Sequence, residues 1–513
     1  MENWLWITLM IVIYAFAMMG IGFIAEKGDK KSKNLNDYYL GGRSMGPILA
    51  IGAFMTTMLS SFALLGMPGY FYRYGVGSWF LIISNSMVMF LLYYPFVFRT
   101  SYLGHKHGFI TLGDFMEARY DKRMRTASSI SMIIVSVPYV AIQIQGFGNI
   151  FEGITHGKVP FELGALFLSI ILTIYIFQGG YRAVALTDAV QGLLMVFALL
   201  IGGVYIANYY WGGIPGLFKE LAVNNADRLT LPGGSGYWNM SQWANWMVFT
   251  SGIAVTPQIF QKFYTTRDET ALRASLYAHP ILTLIIYTGA MLIGLAGILL
   301  FPNLSALESD NITLLIVADH LPLAIGMIIT VGIVAAAMST ADSQYLTISS
   351  LFVRDVYEKT ICEKKGVKPE MDFLVKLGRW FCVVLLIVGF IIAYLRLDTL
   401  VGMLTNTVYP LGAQIFIPMV GGLYWKRANS DGALTGMLGG LIVVILTLFV
   451  PPFKSPLGIH AIWWGMLVNI ILFVTVSLST EKPSDEVIET MIDDVNNYVY
   501  NKNKNFKQIL QEK

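Results

Sequence analysis

The chain has 513 residues, 55% of them hydrophobic and only 13% charged, with a mean hydropathy of +0.61. An ordinary soluble domain carries about 25% charged residues, so lipid rather than water is the main solvent here. A net charge of +3 gives a nucleic-acid partner no electrostatic support, and two cysteines, Cys362 and Cys382, without a Cys/His cluster argue against a disulfide framework or a zinc site.

A hydrocarbon core of about 30 Å takes roughly 20 apolar residues per helix. The first such run, 4–25, has no basic segment before it and no small-residue cleavage site after it, and reads as a permanent span rather than a signal peptide. Twelve more follow near 47–72, 78–98, 126–152, 161–178, 189–208, 241–260, 277–301, 323–349, 378–396, 400–423, 433–450 and 460–478. With the amino terminus outside, all but six of the 35 Lys and Arg fall in inside segments, Lys262 in the loop 261–276 among them. The six are Arg73, Lys158, Lys219, Arg228, Arg396 and Lys454. This positive-inside asymmetry predicts a multi-pass transporter domain over 1–480, amino terminus outside, and a cytoplasmic tail over 481–513. The outer loop 209–240, with a weakly amphipathic Leu217–Leu221 stretch, is expected to cap the extracellular mouth. The tail mixes acidic residues with Asn and Lys and is expected to be solvated.

Charged residues are nearly absent from the spans, so polar ones there are informative. Span two carries Thr56, Thr57, Ser60 and Ser61 ahead of Gly66, Pro68 and Gly69, a pattern that suits either an interrupted helix lining an ion or solute site or small-residue packing. In span nine, Ala336, Ser339 and Thr340 stand at i, i+3 and i+4, on one helical face. Neutral hydroxyls and carbonyls suit a monovalent cation that must also leave, although such hydroxyls also bond back to their own helix. Asp342, the acidic residue well inside a predicted span, either draws a cation toward the inner exit or is solvated in a cytoplasmic vestibule, the second being favoured. Asn85, Tyr139, Gln143, Thr250 and Gln414 are further polar positions that could face a solute, and no Lys or Arg lies deep in the spans.

Ordered motifs from about Asp37 to Ser479 then resemble the sodium:solute symporter family. They are Tyr38-Tyr39-Leu40-Gly41-Gly42-Arg43-Ser44, Gly66-Met67-Pro68-Gly69, Thr111 to Tyr120, Gly179-Gly180-Tyr181-Arg182 followed by Thr187-Asp188 and Gln191, Pro257 to Arg267, and Trp425-Lys426-Arg427. The resemblance implies an all-α membrane protein with a LeuT-type core of two inverted five-helix repeats, about 47–208 and 241–423, within about 13 transmembrane helices. It implies sodium ligands at Thr56, Leu59, Ala336, Ser339 and Thr340, an inner acidic residue at Asp188 on the sodium exit, and a coupling-sensitive arginine at Arg43. Ser60, Ser61 and Phe249 join the solute candidates. Proline is disfavoured as solute, because Met58 stands where the proline branch carries an aspartate. The expected activity is sodium-coupled import of a small organic solute (a monocarboxylate, a pantothenate-like compound or an amino acid), with sodium, solute and bilayer as partners and no other cofactor. Proton coupling on the same fold, or a transporter-like sensor, are the rivals. No nucleophile–base, metal or phosphate-loop constellation suggests an enzyme.

Overall fold

The computed structural model describes residues 3–29, 35–178, 181–233 and 236–501, with side chains described except at 22–29, 35, 84–95, 175–178, 182–183, 500 and 501. It is helical almost throughout. The first span is α1 (Asn3–Asp29). Span two is broken into α2 (Pro47–Met58) and α3 (Met67–Tyr74), joined through a wide turn at Phe62–Gly66. Then come α4 (Trp79–His107), the short α5 (Leu112–Arg119), α6 (Lys122–Ile154), α7 (Phe161–Gln178), α8 (Tyr181–Trp211) and the short α9 (Ile214–Asn224). Span seven is also split, into α10 (Met240–Ala254) and α11 (Pro257–Thr265). The rest are α12 (Glu269–Leu300), the short α13 (Ile312–Asp319), α14 (Leu323–Ser350), α15 (Met371–Tyr394), α16 (Tyr409–Tyr424), α17 (Ser430–Phe449) and α18 (Ala461–Ser479).

Several helices start earlier than the apolar runs predict because polar caps sit outside those runs. Asp121 accepts from Met124 N at 2.8 Å to open α6, and Asp268 accepts from Ala271 N at 2.9 Å to open α12. Proline at the first turn opens α2 and α11, where its missing N–H costs nothing. Among the described residues nine helices are long and apolar enough to cross a membrane, and Pro47–Met58 with Phe62–Ile83, bent by 60°, forms a tenth. The expected thirteen is not established by that measure. The described part of α7 is a shorter apolar helix, Phe161–Ile174, and span seven is divided into two pieces.

The broken α2–α3 unit is packed among α8, α12 and α14, while α17 and α18 pair with each other at the side of α16. Contact between α2 and α8 is close: a Cβ at Gly52 would come within 2.9 Å of Ala189 Cα. The described part of the 209–240 segment covers the end of α3. Leu217 and Leu221 are buried, Arg228 donates to the Tyr72 and Arg73 carbonyls, and Tyr237 stacks on Tyr74 at 3.8 Å.

The described part of the tail, by contrast, is not a solvated extension. Its helical turns from Asp485, ending in α19 (Asp494–Asn501), fold back under α4, burying Met491, Ile492 and Val495. Asp494 pairs with Lys106 at 2.5 Å and accepts from Tyr102 at 2.7 Å, Asp493 pairs with Lys426 at 2.6 Å, and Tyr498 stacks on Tyr102 at 4.3 Å. The acidic residues that looked like solubilising charge face Lys106 and Lys426 instead.

Candidate functional site

The α2 helix ends because Leu59 leaves the helical region (φ −106, ψ 84) after its N–H bonds Met55 O at 2.9 Å. Ending there withdraws the chain partners of the last-turn carbonyls. Thr56 O is taken up by α14: Thr340 Oγ1 donates to it at 3.0 Å and Ser339 Oγ at 3.4 Å, and Ser339 Oγ also reaches Ala336 O at 3.1 Å. Four of the five expected ligands are linked by these contacts, and the fifth, Leu59, closes the same buried turn.

The tight α2–α8 contact brings Asp188 beside Thr56, whose own hydroxyl donates to Gly52 O at 3.0 Å. Asp188 is fully buried and pairs with Lys262 Nζ at 3.1 Å. The same ammonium donates to Ser343 Oγ at 3.2 Å and lies 4.8 Å from the centre of the Tyr181 ring. A basic residue therefore does sit deep in the molecule, contrary to the sequence expectation. The helix restarts at Pro257 and carries Lys262 back into the packed interior, so a segment that reads as the start of an inner loop is part of the second half-helix. Asp342 is fully buried rather than solvated, with Lys262 and Tyr14 in its electrostatic neighbourhood.

On the other side of the break, Gln143 accepts from Ser61 Oγ at 2.8 Å and from Ser61 N at 3.4 Å, supplying acceptors that the interrupted helix lacks. Gly146 permits this approach, since a Cβ there would stand 2.8 Å from Ser61 Cβ. Ser60 takes the Phe62 N–H at 3.3 Å, and the Tyr139 hydroxyl lies beside Ser60 and Gln258. Among the described residues, both amide atoms of buried Gln258 and the Thr250 hydroxyl have no hydrogen-bond partner. Gln258 was missed from the sequence, although Thr256-Pro257 just ahead of it is a helix-restart signal. Phe249 packs edge-on against Trp246 and His460, at 5.3 and 5.1 Å. Gln414 faces away from the break: it donates to Pro410 O at 3.0 Å and accepts from Asn469 at 3.1 Å, where Gly440 and Gly465 leave room for its amide. It belongs to the α16–α18 contact. The side chain of Asn85 lies outside the described residues, as do those of Arg182 and the whole of Gly179 and Gly180.

The two ends of the site are bridged by charged groups. At the α3 end Asp310 is fully buried, pairing with Arg73 at 3.1 Å and accepting from Leu400 N at 2.7 Å. Burial pushes its carboxyl up to about 6 against the pull of Arg73. At the opposite end Arg43 donates to Phe109 O at 2.7 Å and Tyr264 O at 3.4 Å, while Met45 N bonds Thr265 O at 3.2 Å, tying the chain before α2 to the end of α11. Beside it Thr111 and Asp114 form a capping box that opens α5. Burial raises the Asp114 carboxyl, but Arg354 and Lys359 more than offset this and hold it below the ordinary value.

Comparison with known proteins places these features in a family. The model of the sodium:solute symporter family matches residues 38–440. A protein named sodium/proline symporter from Staphylococcus aureus strain JH9 is 28% identical over 505 residues, covering 96% of this chain and 96% of that one. Among solved structures, a sodium-coupled sialic acid symporter in a substrate-bound outward-open state superposes with a TM-score of 0.78 at 21% identity, covering 93% of this chain and 98% of that one. A nucleobase-cation-symport-1 family transporter, closed around bromovinylhydantoin, gives 0.54 at 14% identity, covering 90% and 99%. At such identities the likeness speaks to the fold, an all-α LeuT-type core. With most of its length inside the family match and the broken helices in place, the chain belongs to the sodium:solute symporter family.

Proposed function

We propose that this protein imports a small organic solute across the cell membrane by coupling it to sodium entry, through alternating access, with its amino terminus outside and its repeats at about 47–208 and 241–423. One observation supports the ion site most directly: Thr56 O, freed by the break, meets the Ser339 and Thr340 hydroxyls at 3.4 and 3.0 Å. Neutral hard oxygens of this kind bind a monovalent cation and let it go, whereas a carboxylate cage would favour calcium. Asp188, beside Thr56, gives sodium its next contact inward.

The solute site in this reading lies across the break, bounded by Ser60, Tyr139, Thr250 and Gln258. Their hydrogen-bonding groups are uncharged. A solute carboxylate would therefore be met by hydroxyls, the Gln258 amide and the positive end of the half-helix starting at Pro257. Monocarboxylates, pantothenate and amino acids all fit. Because one relative is named a sodium/proline symporter, proline belongs in the screen, despite Met58.

The test is uptake of these radiolabelled solutes into proteoliposomes with and without an inward sodium gradient, repeated in Ser339→Ala/Thr340→Ala. Sodium-dependent uptake that the double variant loses supports the reading. Uptake indifferent to sodium and to both hydroxyls would sink the ion site and favour proton coupling.

A further inference from the structure

The hydroxyl face of α14 does not stop at the sodium ligands. Ala336, Ser339, Thr340 and Ser343 are spaced i, i+3, i+4 and i+7, so Ser343 continues the same stripe by one turn. There the polar partner is a cation already built into the chain: Lys262 Nζ, 3.2 Å from Ser343 Oγ and 3.1 Å from Asp188 Oδ2. Lys262 is 4% exposed and Asp188 0%. A buried carboxylate that loses its cation is left at a high cost, so Asp188 needs a positive partner at every step at which it stays charged and buried.

One further observation marks a place for a second cation. Asp188 Oδ1 accepts no hydrogen bond among the described residues, leaving one carboxylate oxygen available beside Thr56. Thr57 Oγ1, 3.4 Å from Ser343 Oγ, links this corner back to the broken helix.

We propose that Lys262 is a tethered counter-cation that competes with sodium for Asp188. Its ammonium holds the carboxylate while no sodium stands there, and yields it as sodium moves inward from the Thr56, Ser339 and Thr340 oxygens. The lysine thereby weakens sodium binding to the level that permits release, and keeps Asp188 neutralised while the unloaded carrier resets. This inference rests on the sodium-symport reading above.

The experiment is equilibrium binding of ²²Na⁺ to purified protein, which needs no solute. Lys262→Met is expected to bind sodium at least about tenfold tighter, Lys262→Arg to match the wild type, and Lys262→Met/Asp188→Asn to return toward it. A lysine that only supports the fold would, when removed, loosen the site and weaken binding. Sodium affinity unchanged or weakened in monodisperse Lys262→Met overturns the proposal. Should that variant not fold, Lys262→Gln, which retains hydrogen bonds to Asp188, carries the same expectation. Wild-type protein that binds no sodium would sink the symport reading and this inference with it. Bound sodium that ignores Lys262 would sink this inference alone.

Discussion

At the scale of single residues, the site is built from groups that a helix break sets free. Thr56 gives its carbonyl to α14 and its hydroxyl to Gly52, so one residue serves both the proposed ion site and the continuity of α2. Thr340 is the closer of the two hydroxyls to that carbonyl. Replacing it by the near-isosteric valine removes the oxygen and leaves the carbonyl without that donor, a loss of about 1–3 kcal/mol for a buried group. Thr340→Val is therefore expected to raise the sodium concentration for half-maximal uptake by about tenfold or more, while Thr340→Ser stays close to the wild type. Sodium titration of uptake in the three proteins measures it, and equal curves would remove Thr340 from the ligand set.

At the scale of elements, the Asp310 bridge and the tail each join pieces that are distant in sequence. Asp310 ties the segment ahead of α13 to Arg73 of α3 and to the start of the α16 unit at Leu400. Gly69 lets α3 come that close, because a Cβ there would lie 2.6 Å from Ser309 O. With its carboxyl pushed up to about 6, folded Asp310 holds a proton more readily than the unfolded chain does between about pH 4 and 6. Its contribution to stability is thus fullest at the acid end of that window and declines as pH rises through about 6. Asp310→Asn is expected to flatten the difference in thermal midpoint between pH 5 and pH 7.5 by about 1–2 °C. Identical pH profiles would mean that the group is not titrating there. For the tail, the pairs Lys106–Asp494 and Lys426–Asp493 are partly exposed and each contributes only about 0–1 kcal/mol. Reversing both lysines to glutamate is expected to free the tail for proteolysis near Thr490 in the folded protein, and a cleavage rate equal to the wild type would show that Met491, Ile492 and Val495 hold it unaided.

At the scale of the whole molecule, the proposed orientation rests on the charge asymmetry of the sequence, which would put the carboxy terminus inside. A cysteine at Leu457, highly exposed between α17 and α18, should then react with an impermeant maleimide from outside. One at Lys482 should react only after permeabilisation. The opposite pattern would invert the proposed orientation. In the proposed orientation sodium enters down an inside-negative potential, which supplies about 2.3 kcal/mol per charge at 100 mV.

The sequence by itself determined that the chain is an all-helical multi-pass membrane protein, and it pointed to a polar stretch in span two and a hydroxyl face in span nine. These are local signals: apolar length against bilayer thickness, small and hydroxyl residues within one turn, and periodicity along one helix. Only the tertiary structure decided what those faces meet. It carried Lys262 inward on a restarted helix to Asp188, turned Gln414 toward Asn469, buried Asp342, and set the tail's acids against Lys106 and Lys426. A charged or polar side chain reads the same in sequence whether water or a partner from a distant helix satisfies it. Burial and pairing are properties of neighbours brought in from elsewhere in the chain, and only the packed fold supplies them.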